Sequence, residues 1–190
     1  MREFTKQRDL ARKKHFPMKL VNGATANLVD YKTIREFARP NIPRFFTHNV
    51  EPAELVGNRM ENVTSLLNHY AEGHLDNIIF SDKDGIRIGW HFGEQEDPST
   101  YYMRNTAIFE EMQGKGLYKD FLGKMMDYVG DLGFERISSQ HKPNNKRILV
   151  AKLKKDFVIQ GMDLDDRHGM LIRLVYHVHE NRRVQFNKMI

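Results

Sequence analysis

A chain of 190 residues fits one domain with room for a sizeable core, and no apolar run approaches the ~18 residues that a membrane span requires. The absence of cysteine excludes a disulfide framework, a thiolate metal site and a cysteine nucleophile. The net charge of +5 sits in the first twenty residues, where Arg2, Lys6, Arg8, Arg12, Lys13, Lys14 and Lys19 oppose only Glu3 and Asp9, so the remaining residues sum to zero.

Residues 1–18 therefore read as a basic N-terminal arm, helical to about Phe16 and ended by Pro17, ahead of a single domain over residues 19–190. The arm has no apolar core of the kind a secretory signal needs, and it carries acids that a mitochondrial presequence lacks, which together with the missing cysteines makes the cytoplasm the expected compartment. In "DYKTIREFARP" the spacing predicts a short helix, with Asp30 as N-cap, Tyr31, Ile34, Phe37 and Ala38 on one face and Pro40 closing it. "NIPRFF" reads as a loop, and residues 51–72 as a longer helix with Pro52 in its first turn.

The period then changes. "LDNIIFSDKDGIRIGWHFGEQ" predicts a hairpin turning at Asp84-Gly85, and "YYMRNTAIF" a third strand. In the helix that follows, Leu117, Phe121, Leu122, Met125, Met126 and Val129 share a side, and Gly133 suits its end. A strand "FERISSQH", a helix "KRILVAKLKKD" and a hairpin from "FVIQGM" to "MLIRLVYHV" complete the order, which is that of one α/β domain with a mixed sheet.

Between the third strand and its helix lies "EEMQGKGLYK". Glycines at the mouth of a helix bare amides at the positive end of the helix dipole, an anion site to which Lys115 adds a charge. Two common phosphate loops do not fit: a P-loop needs G-K-[ST], but Gly116 is followed by Leu117, and the last glycine of G-x-G-x-x-G would fall on Lys119.

Gln113-Gly114-Lys115-Gly116-Leu117-Tyr118 resembles the [QR]-x-x-G-x-[GA] loop of the GNAT superfamily of acyl-CoA N-acyltransferases, and Asn145 with Phe157 twelve residues beyond resembles the Asn and Gly-Phe spacing of those chains. The resemblance extends over about residues 75–178. It implies a GNAT-like mixed, mostly antiparallel sheet flanked by helices, with splayed central strands. It also implies acetyl-CoA or another acyl-CoA as cofactor. The loop amides of Gln113 to Tyr118 would hold its pyrophosphate, and Asn145 and the backbone of Ala107, Ile108 and Phe109 its pantetheine arm. Three positions depart from the family: Tyr118 stands where Gly or Ala is usual, Asp156 replaces the Gly before Phe157 and implies a helix end without the left-handed cap, and Lys152 takes the place of the frequent catalytic Tyr seven residues beyond the Asn.

Acyl transfer to an amine needs a neutral nucleophile, a polarised carbonyl and a proton for the leaving thiolate. Lys152 lies on the inward flank of its helix, where it either snorkels to water or, held in a dry site, loses basicity and donates a proton. His141 ends the second strand of the splay as a candidate base, Tyr102 and Tyr101 are substitute donors, and Glu94, Glu96, Glu110 and Glu111 lie at strand ends and beside the loop. His168, His177 and His179 lack the further ligands of a tetrahedral site, so no metal is expected. The leading expectation is an N-acyltransferase, with an amine-bearing small molecule or a peptide or protein amine as acceptor and a homodimer compatible with it. Two readings compete: a nucleic-acid-associated protein, which rests on the basic arm alone, and a module that binds acyl-CoA without turnover.

Overall fold

In a computed structural model of the chain, the described residues are 2–46, 65 and 73–189. The helix expected over residues 51–72 lies outside them, Ser65 apart. The chain runs through α1 (Arg2–His15), β1 (Met18–Lys19), β2 (Thr25–Leu28), α2 (Tyr31–Ala38), α3 (Ile42–Phe45), β3 (Leu75–Ser81), β4 (Arg87–Asp97) and β5 (Thr100–Ile108). It continues through α4 (Leu117–Asp131), β6 (Arg136–His141), α5 (Lys146–Leu153), β7 (Val158–Asp165), β8 (Gly169–His177) and α6 (Glu180–Asn187). The eight strands form one open sheet in the order β1-β2-β3-β4-β5-β6-β8-β7. Every pairing is antiparallel except β5 with β6. This is the mixed, mostly antiparallel sheet expected. Among the described residues no helix is long and apolar enough to cross a membrane.

Two apolar layers enclose the sheet. On one face Phe121, Leu122, Met125, Tyr128 and Val129 of α4 pack on Phe80, Tyr101, Ile137 and Leu174; full burial of each such side chain contributes roughly 1.5–3 kcal/mol. Tyr128, absent from the expected apolar stripe, is fully buried because its hydroxyl finds an acceptor in the core. On the other face Ile34 and Ala38 of α2 cover Ile79, Trp90 and Ala107. Asp30 caps α2 by accepting from the Thr33 amide at 2.7 Å, as its sequence implies.

Three local differences from the sequence reading have plain causes. "NIPRF" folds into a single helical turn, α3, in which Pro43 occupies the first turn and loses no hydrogen bond. Residues 18–28, which carry no long alternating pattern, become the short strands β1, at the sheet edge, and β2 beside it. The N-terminal segment is a docked helix, in which Ala11 is buried and Phe4 meets His74 and Phe134 edge-on.

Part of the arm's charge is committed to that docking. Arg12 donates to Asp76 at 2.8 Å, and Lys14 and His15 both reach Asp131 at 2.6 Å. Asp76 is wholly buried, and its carboxylate also accepts from Tyr128, Tyr101 and His74 at 3.0 to 3.2 Å. Burial opposes its ionisation, but His74 and Arg12 outweigh that and hold its pKa below the usual carboxylate value. One carboxylate thus ties α1, α4, β3 and β5 together.

Candidate active site

The loop ahead of α4 takes its shape from two glycines. Gly114 (φ 74°) and Gly116 (φ 81°) are both left-handed, a conformation that costs other residues about 1–2 kcal/mol. A Cβ at Gly114 would meet no atom of the described residues within 4 Å, so among them the loop's outer face is open. Gly116 is the N-cap of α4 and supplies no side-chain cap, which leaves the first-turn amides without intrahelical partners and directed at the helix mouth. Tyr118, whose bulk threatened this site, turns inward and packs against the core.

The loop is braced from both sides. Asn22 donates to the Lys115 carbonyl at 3.1 Å, and the Val21 amide donates to Asp120 at 2.9 Å. The Gln113 side chain donates to the Ile108 carbonyl at 2.8 Å, joining the loop to the end of β5. Lys115 is exposed, and among the described residues its ammonium has only the Met112 sulfur nearby, at 3.7 Å.

Beside the loop the sheet opens. β5 and β6 are paired only at Thr100↔Arg136, Tyr101↔Ile137 and Tyr102↔Ser138. From Met103 on, β5 pairs with β4 alone, and from Ser139 on, β6 pairs with β8 alone. The register of β4 and β5 shifts at the same level, where Gly93 pairs with Met103 and Phe92 with Asn105, leaving Arg104 as an extra residue. Such a bulge bends and over-twists its strand, and here it lies where β5 leaves β6. Gly93 is required in this bend, because a Cβ there would fall 1.7 Å from the Tyr101 hydroxyl. The backbone of Ala107 and Ile108, expected to face a pantetheine arm, thus lies on the stretch of β5 that β6 does not cover, with Phe109 just beyond it.

Lys152 of α5 enters the opening from the α4 side of the sheet. It is 1% exposed, its ammonium lies 2.6 Å from Ser139 Oγ and 3.6 Å from Met103 Sδ, and it sits 4.7 Å over the Phe157 ring. Burial lowers its pKa from 10.5 to about 7. The lysine has not snorkelled to water. The turn that carries it is fixed by a left-handed cap, which the sequence argued against: Asp156 adopts φ 62°, and the Lys155 and Phe157 amides both donate to the Lys152 carbonyl. Aspartate accepts this conformation more readily than most side chains, so the family glycine is not needed.

Ser139 also lies 3.0 Å from His141 Nε2. Burial, with the Lys152 charge second, pushes the His141 pKa down to about 3, so the ring is neutral near pH 7. Lys152 and His141 are therefore joined through a serine that no motif singled out; the signal was only a small hydroxyl two places before His141, on the same strand face. Tyr102, by alternation, faces the other side of the sheet, where its hydroxyl donates to Gln140 Oε1 at 3.1 Å. Burial and the neighbouring Glu94 and Glu96 raise its pKa to about 12. Around it, Ser138 and Arg173 both bond Glu96 at 2.6 Å, Arg104 bonds Glu94 at 3.3 Å, and Gln140 donates to Asp163 at 2.6 Å. Tyr101 is a core residue whose hydroxyl donates to Asp76. Asn145 precedes α5, exposed and without a side-chain capping bond.

No family model matches the chain, and no curated protein sequence matches it. Solved structures do. The spermidine N-acetyltransferase from Vibrio cholerae in complex with CoA and spermine superposes with a TM-score of 0.61 at 16% identity, covering 85% of this chain and 98% of that one. RimL, a ribosomal-protein α-N-acetyltransferase in complex with coenzyme A, gives 0.59 at 12% identity, over 81% of this chain and 93% of that one. A ribosomal-protein alanine acetyltransferase from Vibrio fischeri gives 0.58 at 16% identity, over 83% and 94%. Over most of its length the chain has the fold of the GNAT N-acetyltransferases.

Proposed function

We propose that the chain is an N-acyltransferase that moves an acetyl or other acyl group from acyl-CoA to a primary amine by direct transfer. The observation that carries this reading is the opening of β5 from β6 beside a helix mouth whose amides are unobstructed. The residues present fit the cofactor. The amides of residues 114–118 with Lys115 suit a diphosphate, the Gln113 amide being already given to the Glu110 carbonyl. The stretch Ala107 to Phe109 that β6 leaves uncovered, with Asn145, suits an amide-bearing arm, although Gln113 holds the Ile108 carbonyl and the Phe109 amide is given to Ile88, so the arm meets the remaining groups of that stretch. Solved neighbours of the same fold hold CoA, which supports acetyl-CoA here.

Acyl-CoA, when bound, supplies the thioester. The chain's part is to align and to manage protons. Holding both reactants in register in the opening is worth on the order of 7–11 kcal/mol. Lys152 keeps a proton at Nζ for the departing thiolate, and a pKa of about 7 lets the ammonium give it up at neutral pH. Tyr102, Glu94 and Glu96 line the opposite face, from which the amine approaches and to which its proton goes. An amine acceptor is in keeping with the spermine bound by one neighbour and the protein substrate of another. The nucleic-acid reading loses ground, because Arg12, Lys14 and His15 are engaged in intramolecular pairs.

Thiol release from acetyl-CoA, measured against polyamines, amino acids, aminoglycosides and lysine peptides, tests the reading. Turnover with one amine class is the expected result. Thiol release with none of them, in a protein whose melting temperature CoA does raise, would favour a binding module without turnover.

A further inference from the structure

Lys152 poses a supply problem. A donor that is 1% exposed must recover its proton after each turnover, yet it has no contact with bulk water. Among the described residues its ammonium has one oxygen partner, Ser139 Oγ at 2.6 Å, the Met103 sulfur being a weak acceptor. Ser139 is itself fully buried, and its other partner is His141 Nε2 at 3.0 Å. The His141 ring is only partly buried, at the end of β6. Among the described residues, the hydrogen-bonded path from Lys152 outward therefore runs through Ser139 to His141.

We propose that Ser139 and His141 form a proton relay that reloads Lys152 from solvent. This rests on the reading of Lys152 as proton donor. Lys152 Nζ gives a proton to the leaving thiolate as the C–N bond forms and the C–S bond breaks, and is left as a neutral amine. Water protonates the His141 ring on its outer side. The ring passes a proton from Nε2 to Ser139 Oγ while the Ser139 hydroxyl passes its own to Nζ. One proton has moved from solvent to Lys152; the ring is left as its Nδ1–H tautomer with the serine hydroxyl turned toward Nε2, and proton exchange of the ring with water restores the Nε2–H form before the next turnover.

The charges around the lysine suit this task. The titratable groups that face it are His141 on β6 and His91 on β4, both depressed to about 3 by burial, with the Lys152 charge contributing. His91 gives its Nδ1 to Thr106 at 2.7 Å, and its Nε2 has no partner among the described residues, so it offers Lys152 no second route. Met103 on β5 and Phe157 complete the surroundings without a titrating group. A ring that is neutral at pH 7 conducts a proton without retaining one that would repel Lys152. This recasts His141, expected from sequence as a base, as the solvent-side end of the donor's supply.

The test uses Ser139→Val and Ser139→Thr, side chains of matching shape that differ in the hydroxyl. Two readouts are taken: the pH profile of kcat, and an NMR titration of Lys152 in protein labelled with ¹³C at lysine Cε, with no cofactor added. Ser139→Val is expected to lower kcat about tenfold or more and to move the Lys152 titration to lower pH, because the ammonium loses its acceptor; Ser139→Thr recovers both. His141→Ala is expected to lose turnover and regain it with added imidazole, and it tests the relay even where Ser139→Val does not fold. A folded Ser139→Val with wild-type kcat and Lys152 titration, or His141→Ala with full turnover or with a loss that imidazole does not repair, overturns the relay alone. A wild-type profile with no alkaline limb where Lys152 titrates overturns the donor role and the relay with it.

Discussion

Replacing Lys152 by Met should make the protein more stable and nearly inactive, and the two effects have one cause. Lys152 titrates at about 7 in the folded chain against 10.5 when free, because burial disfavours its charge. The folded state therefore binds fewer protons than the unfolded state between those values, and stability rises as pH climbs through that window. At ~1.4 kcal/mol per pKa unit, the buried lysine costs roughly 4–5 kcal/mol at pH 6 to 7 and about 2 kcal/mol at pH 9. Met has similar length, no charge, and a thioether that suits the Met103 and Phe157 surroundings. It forfeits the bond to Ser139, worth about 1–2 kcal/mol, so the net gain expected at pH 7 is about 3 kcal/mol. Urea unfolding of both proteins at pH 6, 7, 8 and 9 measures it, and thiol release should fall about 10²–10⁴-fold alongside. A Lys152→Met variant less stable than wild type, or a stability difference that does not shrink from pH 6 to 9, would refute the account of Lys152 as a buried amine of lowered pKa.

Other outcomes follow from single contacts. Gly116→Asp places a carboxylate and a strained left-handed residue at the helix mouth, so coenzyme A should no longer raise the melting temperature. Asp76→Ala leaves Arg12, Tyr101, Tyr128 and His74 facing a void and should cost about 3–5 kcal/mol in denaturant unfolding. Because the folded pKa of Asp76 is lowered, its stabilisation is complete above the free carboxylate value and should be lost as pH falls through the folded one, which acid titration followed by circular dichroism detects. Asp156→Gly removes the side chain from a left-handed position and should stabilise the fold by up to about 1 kcal/mol in thermal unfolding.

The parts of the fold legible in the sequence were those with a strong period. The stripe of α4, the Asp84-Gly85 hairpin and the closing β7–β8 hairpin each repeat an apolar pattern long enough to exceed chance, and all are present. The phosphate-loop candidate was legible because Gly114 and Gly116 are needed for a backbone shape, and both adopt it. What escaped depends on contacts made across the chain. Nothing local distinguishes a lysine that reaches water from one enclosed by Met103, Ser139 and Phe157, residues 49, 13 and 5 places away in sequence. Ser139 carries no motif, and its role appears only when α5 is laid under β6. The docking of α1 was hidden in the same way: Arg12 counts as arm charge until Asp76, 64 residues on, is found buried beneath it. The left-handed Asp156 is not legible from residue type, because the turn it makes is the one that brings Phe157 into the core.

The central claim is that the amides around Lys115 hold a diphosphate while the opening between β5 and β6 takes the tail that carries the thioester. Amide NMR of the ¹⁵N-labelled chain, titrated with coenzyme A, reads both parts in one experiment. Shifts in Gly114, Lys115, Gly116, Leu117 and Tyr118 that saturate together with shifts in Met103 to Phe109 are predicted. Saturable binding that leaves both stretches unmoved, or moves the loop without the strand, would contradict it.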